Sequence, residues 1–222
     1  MGNVSERRKQ PPQVGVSVVI LALGPVPQSD VGAGAASSGM GSTLWMPLVK
    51  RVRQPFLGQW ALPGGGLRAD HSLEQSAYAA LESTTSLHPK YLEQLYTFGD
   101  PARSHGGLPM VSIVYWALVG EADGRIDFAG GDNVKWFPVN HLPELAFDHR
   151  TIVEYAMNRL RGKIESPDIA TRLVGERFTL SQLHDVYEAI AGQRIDLANF
   201  RRKMLASGLL ELSLIHISEP TR

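Results

Sequence analysis

Residues 56–87, FLGQWALPGGGLRADHSLEQSAYAALESTTSL, constrain the fold more than any other stretch. Gln59 to Leu62 is short and half apolar, a strand fragment. Pro63-Gly64-Gly65-Gly66 then turns the chain sharply, because glycine takes positive φ without a Cβ clash. Beyond it Leu73, Ala77, Leu81 and Thr84 recur at helical spacing, with polar residues between them. The helix closes at Ser86, where glycine is the residue expected.

This string resembles the Nudix box, in which L-P-G-G leads into G-x5-E-x7-R-E-U-x-E-E-x-G-U, U being a bulky aliphatic. Counted from Gly65, the chemically demanding slots hold His71, Ala79, Ala80, Ser83, Thr84 and Ser86, none of them the expected residue. Gly65, Leu81 and Leu87 fit, with Leu62-Pro63-Gly64 before them. The packing skeleton of the motif survives and its chemistry does not. Cleaving a nucleoside diphosphate linkage needs Mg²⁺ on the phosphates and a base to activate water. Mg²⁺ needs oxygens at about 2.0–2.1 Å in octahedral geometry. The acidic residues left are Glu74 and Glu82, about 12 Å apart along a helix rising about 1.5 Å per residue. No catalytic and no metal-binding residue is therefore assigned. His71 suits zinc, but no ligand cluster stands beside it.

The 222-residue chain balances 22 Lys and Arg against 22 Asp and Glu. That balance excludes a tail built for bulk nucleic-acid binding. Without cysteine there is no disulfide, thiolate metal site or cysteine nucleophile. No apolar run reaches the roughly 18–20 residues of a membrane span, and no signal peptide is evident. A cytoplasmic protein with no membrane partner is expected.

Taken in order, residues 1–12 are polar and read as disordered. Val14 to Leu23 is rich in β-branched residues and predicts a strand buried on both faces. Gly24 to Gly41 is a small-residue loop, and Leu44 to Arg51 a second strand. Arg53, Gln54 and Pro55 turn the chain into the Gly58-x-Trp60-x-Leu62-Pro63-Gly64-Gly65 run. Tyr91 to Phe98, Val111 to Val119 and Asn133 to Val139 predict further strands. Asp148 to Ile164 predicts a helix with Ile152, Val153, Ala156, Leu160 and Ile164 on one stripe. The expected fold is α/β: a Nudix α/β/α sandwich with a mixed sheet over residues 13–164.

Pro167 and Gly175 bracket a break. Thr179 and Gln182 then form a capping box for a helix with Leu180, Leu183, Val186, Tyr187 and Ile190 inward. A glycine-bearing turn follows, and Asp196 caps a second helix stopped by Gly208. This is a helix-turn-helix. On its second helix Leu197, Phe200, Met204 and Leu205 share one face, and Asn199, Arg202, Lys203 and Ala206 face away. Arginine can bond two guanine acceptors and asparagine can pair with adenine, so such a face suits the DNA major groove. Solvated helices also carry Arg and Lys, and spacing alone leaves both uses open.

The segment from Arg161 to Glu211, notably FTLSQL, VYEAI and NFRRK, resembles the C-terminal winged helix of the Nudix-related transcriptional regulators (NrtR family), which control NAD biosynthesis genes. The resemblance implies a winged-helix DNA-binding domain over 165–211, with Asn199, Arg201, Arg202 and Lys203 toward DNA. It implies a homodimer on a palindromic operator, and a Nudix-like domain that senses ADP-ribose or a related nucleotide. Residues 212–222, LSLIHISEPTR, depart from the family and read as a non-native tail. The wing is then expected to be truncated.

A nucleotide in the Nudix cleft would meet Arg51, Arg53, Trp60, Gly64, Gly65, Gly66, Arg68 and Arg103. Arginine forks grip diphosphate oxygens, and an aromatic ring stacks on adenine. Trp60 as core and the arginines as plain surface is the equal alternative. Arg68 stands where hydrolases commonly carry Glu, and could answer the phosphates in place of Mg²⁺. His105 and Asp100 are a candidate acid–base pair. The expected function is a ligand-sensing regulator of NAD biosynthesis or salvage genes that needs no cofactor. The alternatives are an ADP-ribose pyrophosphatase using Mg²⁺ and a plain interaction module.

Overall fold

The computed structural model describes residues 11–27, 41–104, 109–120, 126–164, 167–175, 177–208 and 210. The strands are β1 (Gln13–Pro25), β2 (Ser42–Lys50), β3 (Trp60–Ala61), β4 (Gly64–Gly66), β5 (Tyr91–Phe98), β6 (Met110–Val119) and β7 (Val134–Pro138). The helices are α1 (Leu73–Thr85), α2 (His149–Lys163), α3 (Pro167–Val174), α4 (Leu180–Ala191) and α5 (Leu197–Ala206). All seven strands form one mixed sheet of order β3-β2-β1-β6-β5, with β4 beside β1 and β7 beside β2. Only β1 and β6 run parallel, pairing from Gln13–Met110 to Ala22–Val119.

β1 is buried on both faces, as its β-branched sequence predicts. Val16, Val18, Ile20 and Ala22 meet Ala77 and Leu81 of α1 on one side. Val19 and Leu21 face a second cluster that includes Ile152, Ala156 and Leu160 of α2. That second cluster continues without a break through Ile169 and Leu173 of α3 to Leu183, Val186 and Ile190 of α4, and Phe200 and Met204 of α5. α4 packs directly on β2, α2 and α3. The core therefore does not divide at residue 164.

Helix starts follow the sequence. Ser72 with Gln75, and Thr179 with Gln182, close reciprocal capping boxes on α1 and α4. Ser86 ends α1 in the left-handed conformation, φ 54°. Three expectations are corrected. The Pro167–Gly175 break is helix α3: proline is tolerated at a helix's first position, and Gly175 at φ 87° closes its end. The glycine turn is in part strand β4, hydrogen-bonded to Gly15–Ser17 of β1. On α5 only Phe200 and Met204 are buried, while Leu197 and Leu205 are 37% and 49% exposed. The readings of residues 1–10, 28–40 and 212–222 lie outside the described residues.

Candidate functional site

The glycine loop is fixed by close approach. Gly64 has φ 159°, extended backbone, but a Cβ there would lie 2.3 Å from the Val16 carbonyl oxygen. No larger residue fits while β4 stays on β1. Gly65 and Gly66 face open space and are exposed. Val18 N–H donates to the Pro63 carbonyl at 2.9 Å. Just before it, Leu62 N–H donates to Nδ1 of His149 at 2.9 Å, in a buried bond. Nδ1 must be unprotonated to accept. Burial pushes the His149 imidazole down to about 4, against an opposing pull from Asp148.

Arg103 holds the same corner. Its Nε and Nη2 donate to the two oxygens of Asp148 at 2.8 and 2.9 Å, and Nη1 donates to the Phe98 carbonyl at 3.0 Å. Burial alone would raise the Asp148 carboxyl, but the Arg103 fork and its charge hold it below the usual range. Arg103 is buried and its guanidinium points inward. It ties the 3-10 turn at Pro101–Ser104 to the start of α2. Arg51 is committed locally too: Nε donates to the Pro55 carbonyl at 2.9 Å, and Cζ lies 4.6 Å from the centre of the Phe147 ring. Phe147 meets Phe56 at 4.8 Å, and both have positive φ. Strained backbone of this kind persists where surrounding contacts over-determine it.

Trp60 is half-buried, edge-on to Phe137 at 5.1 Å, and its carbonyl accepts from Ala146 N–H at 2.8 Å. The segment 145–149 thus gathers Arg51, Trp60, Leu62 and Arg103 at one end of the sheet. Arg53 is exposed. Arg68 is exposed and forms a two-pronged pair with Asp70 at 3.0 and 3.1 Å. Phe147, Asp148 and His149 are absent from the expected site residues. The Asp-His pair at the start of a predicted helix was the available signal.

On α1 the donors do not suit Mg²⁺. Glu74 and Glu82 lie more than two turns apart, and Ser83 and Thr84 donate their hydroxyls to the Ala80 carbonyl at 3.1 and 2.7 Å. Among the described residues, the one cluster of three or more metal-capable side chains is His184, Asp185 and Glu188, on α4. Asp100 is a turn former, its Oδ1 accepting from Ala102 N–H at 2.7 Å. His105 lies outside the described residues.

α4 and α5 carry the second candidate surface. Asn199 N–H donates to the capping Asp196 carboxylate at 2.7 Å. Asn199, Arg201, Arg202 and Lys203 are all exposed, and Arg202 donates to Asn199 Oδ1 at 2.6 Å. Residues 170–213 match the family model described as the NrtR DNA-binding winged helix domain, and residues 33–156 match the NUDIX domain. The chain is 31% identical over 168 residues to the ADPR-responsive transcriptional repressor NtrR of Acinetobacter baylyi, covering 74% of this chain and 67% of that protein. The chain belongs to the NrtR family. Its fold is similar to that of Shewanella oneidensis NrtR crystallised with a 27mer DNA, at 32% identity and TM-score 0.71, over 94% of this chain and 90% of that one. It is also similar to the NUDIX domain of the same protein in complex with ADP ribose, at 32% identity and TM-score 0.51, over 71% and 94% of the two chains. No helix among the described residues of this NrtR-family chain is long and apolar enough to cross a membrane.

Proposed function

We propose that this chain is a ligand-sensing transcriptional regulator of NAD biosynthesis or salvage genes. Residues 13–164 form its Nudix-like sensor and residues 165–211 its DNA reader. Asn199, Arg201, Arg202 and Lys203 face operator DNA. ADP-ribose or a related nucleotide lies against the exposed Gly65-Gly66 backbone, with Arg53 and Arg68 as its exposed cations and Arg51 and Trp60 as its wall. The observation that carries the proposal is a Nudix fold whose helix carries only two carboxylates, Glu74 and Glu82, more than two turns apart, joined through one continuous core to an exposed cationic helix, α5.

β2 supplies a mechanical link. β2 packs on α4, Gly41 just before it faces the Asp185 carboxylate of α4, and the far end of the strand leads into the Arg51 turn. A nucleotide that shifts this turn acts on α4 through one strand. In a homodimer on a palindromic site, the angle between two α5 helices then decides affinity. To switch the protein, the nucleotide must favour one arrangement by several kcal/mol. The test is a gel shift on DNA upstream of its own gene, with and without ADP-ribose, beside an assay for AMP release with Mg²⁺. Salt-sensitive binding altered by ADP-ribose is expected. Brisk metal-dependent AMP release without DNA binding would overturn the proposal in favour of a pyrophosphatase.

A further inference from the structure

Two ionisable side chains of α4 are buried for a reason that core packing does not supply. His184 and Glu188 are 8% and 6% exposed. Ionisable groups are seldom buried this deeply unless a partner satisfies them. Both find that partner in one residue of the following turn. Glu188 Oε1 accepts from Ile195 N–H at 2.8 Å, and His184 Nε2 lies 2.7 Å from the Ile195 carbonyl oxygen, to which it donates. The same Nε2 lies 3.6 Å from Glu188 Oε1. Both backbone polar groups of Ile195 are thereby fixed from one helix.

The position matters because Ile195 precedes Asp196, the N-cap of α5. The direction in which the chain leaves Ile195 sets the direction in which α5 begins. The clamp is backed by rings: Phe200 of α5 stands edge-on to His184 at 5.1 Å and to Tyr187 at 5.0 Å. One turn further out, Asn199 and Arg202 are hydrogen-bonded to each other on the exposed face. His184, Asp185 and Glu188 could be taken for a metal site, since their donor atoms lie within 4.8 Å of one another. But Nε2 of His184 and Oε1 of Glu188 are already engaged by Ile195, so each side chain has one donor committed to the turn.

We infer that His184 and Glu188 are positioning residues for DNA reading, clamping Ile195 so that α5 presents Asn199 and Arg202 at one fixed angle. The inference rests on α5 being the DNA-facing helix. Base readout depends on angle and distance, whereas phosphate attraction tolerates both loosely. Loosening the clamp should therefore cost specificity before it costs general affinity.

The experiment uses the full chain and a duplex that the wild type selects from a random-sequence pool, beside an unrelated duplex of equal length. Glu188→Ala is expected to lower the ratio of the two affinities by about tenfold or more, with binding to the unrelated duplex nearly unchanged. Glu188→Gln keeps an acceptor oxygen and should restore most of the ratio. A folded Glu188→Ala chain with an unchanged ratio, or equal loss on both duplexes, overturns the inference. Amide hydrogen exchange on the wild type decides the matter where the alanine variant does not fold. The Ile195 amide should exchange far more slowly than those of Gln193 and Arg194, and equal rates overturn the clamp. Failure of the wild type to select any duplex would instead remove the DNA reading of α5, and leave the exchange result to judge the clamp alone.

Discussion

His149 gives the fold a dependence on pH that can be worked from one bond. Its Nδ1 accepts the buried Leu62 N–H and cannot do so when protonated. An ordinary histidine titrates near 6.5, and burial brings this one to about 4. Between those values the unfolded chain binds a proton that the folded chain refuses, so stability falls as pH falls through the window. From pH 7.5 to 4.5 the loss assigned to His149 is roughly 2–3 kcal/mol. His149→Asn offers an amide oxygen where Nδ1 stands and has no proton to take up. Urea unfolding, followed by fluorescence of the four tryptophans, should show the wild type losing roughly 2–3 kcal/mol more than His149→Asn over that range. The other histidines cancel in the comparison. Asp148, held below the usual carboxylate range, gives stability that is lost only at lower pH. Equal losses in the two proteins would refute the account of the Leu62 bond.

Three further outcomes test the site and its scaffold. Ser86→Gly relieves a left-handed residue at the end of α1 and should stabilise the chain by about 1 kcal/mol, a rise in Tm of roughly 2–4 °C. Gly64→Ala should cost about 2 kcal/mol or more, because its Cβ meets the Val16 carbonyl, and should weaken ADP-ribose binding in calorimetry; Gly65→Ala, facing open space, should change stability little. Arg202→Ala should weaken binding to a selected duplex by about 1–3 kcal/mol in fluorescence anisotropy, with Tm unchanged.

The sheet was legible because its strands announce themselves by residue type. Tyr91 to Phe98 and the valine-rich β1 and β6 need no tertiary information to be placed. α3 was not legible, because Pro167 and Gly175 read as punctuation when they are in fact a helix's first position and its end. The candidate site was legible by half. Trp60, Gly64 and Arg51 are pointed to by the glycine loop itself. The burial of Arg103 depends on Asp148, 45 residues away, and that of His149 on Leu62, 87 residues away. Pairings at such distances leave no local pattern.

Apart from the glycines, the positions of the Nudix box that match the family pattern, and those that do not, divide by burial. Leu62, Leu81 and Leu87 are each less than 5% exposed, and Pro63 is buried. The mismatched His71, Ala79, Ala80, Ser83, Thr84 and Ser86 are all exposed or half-exposed. The sheet dictates the first set, whereas only chemistry would dictate the second, so one set can persist without the other. If so, carboxylates should be tolerated on α1. Ala80→Glu, Ser83→Glu and Thr84→Glu together place two acids three and four residues after a first, each within reach of it along the helix. At 83 and 84 glutamate's better helix propensity than that of serine or threonine offsets part of the mutual repulsion, a few tenths of a kcal/mol per pair. The triple variant should stay folded, with Tm within a few degrees of wild type, and should bind Mn²⁺ in calorimetry where the wild type binds it more weakly. Collapse of the fold would show that these positions, of which Ala80 lies partly against the core, answer to packing after all.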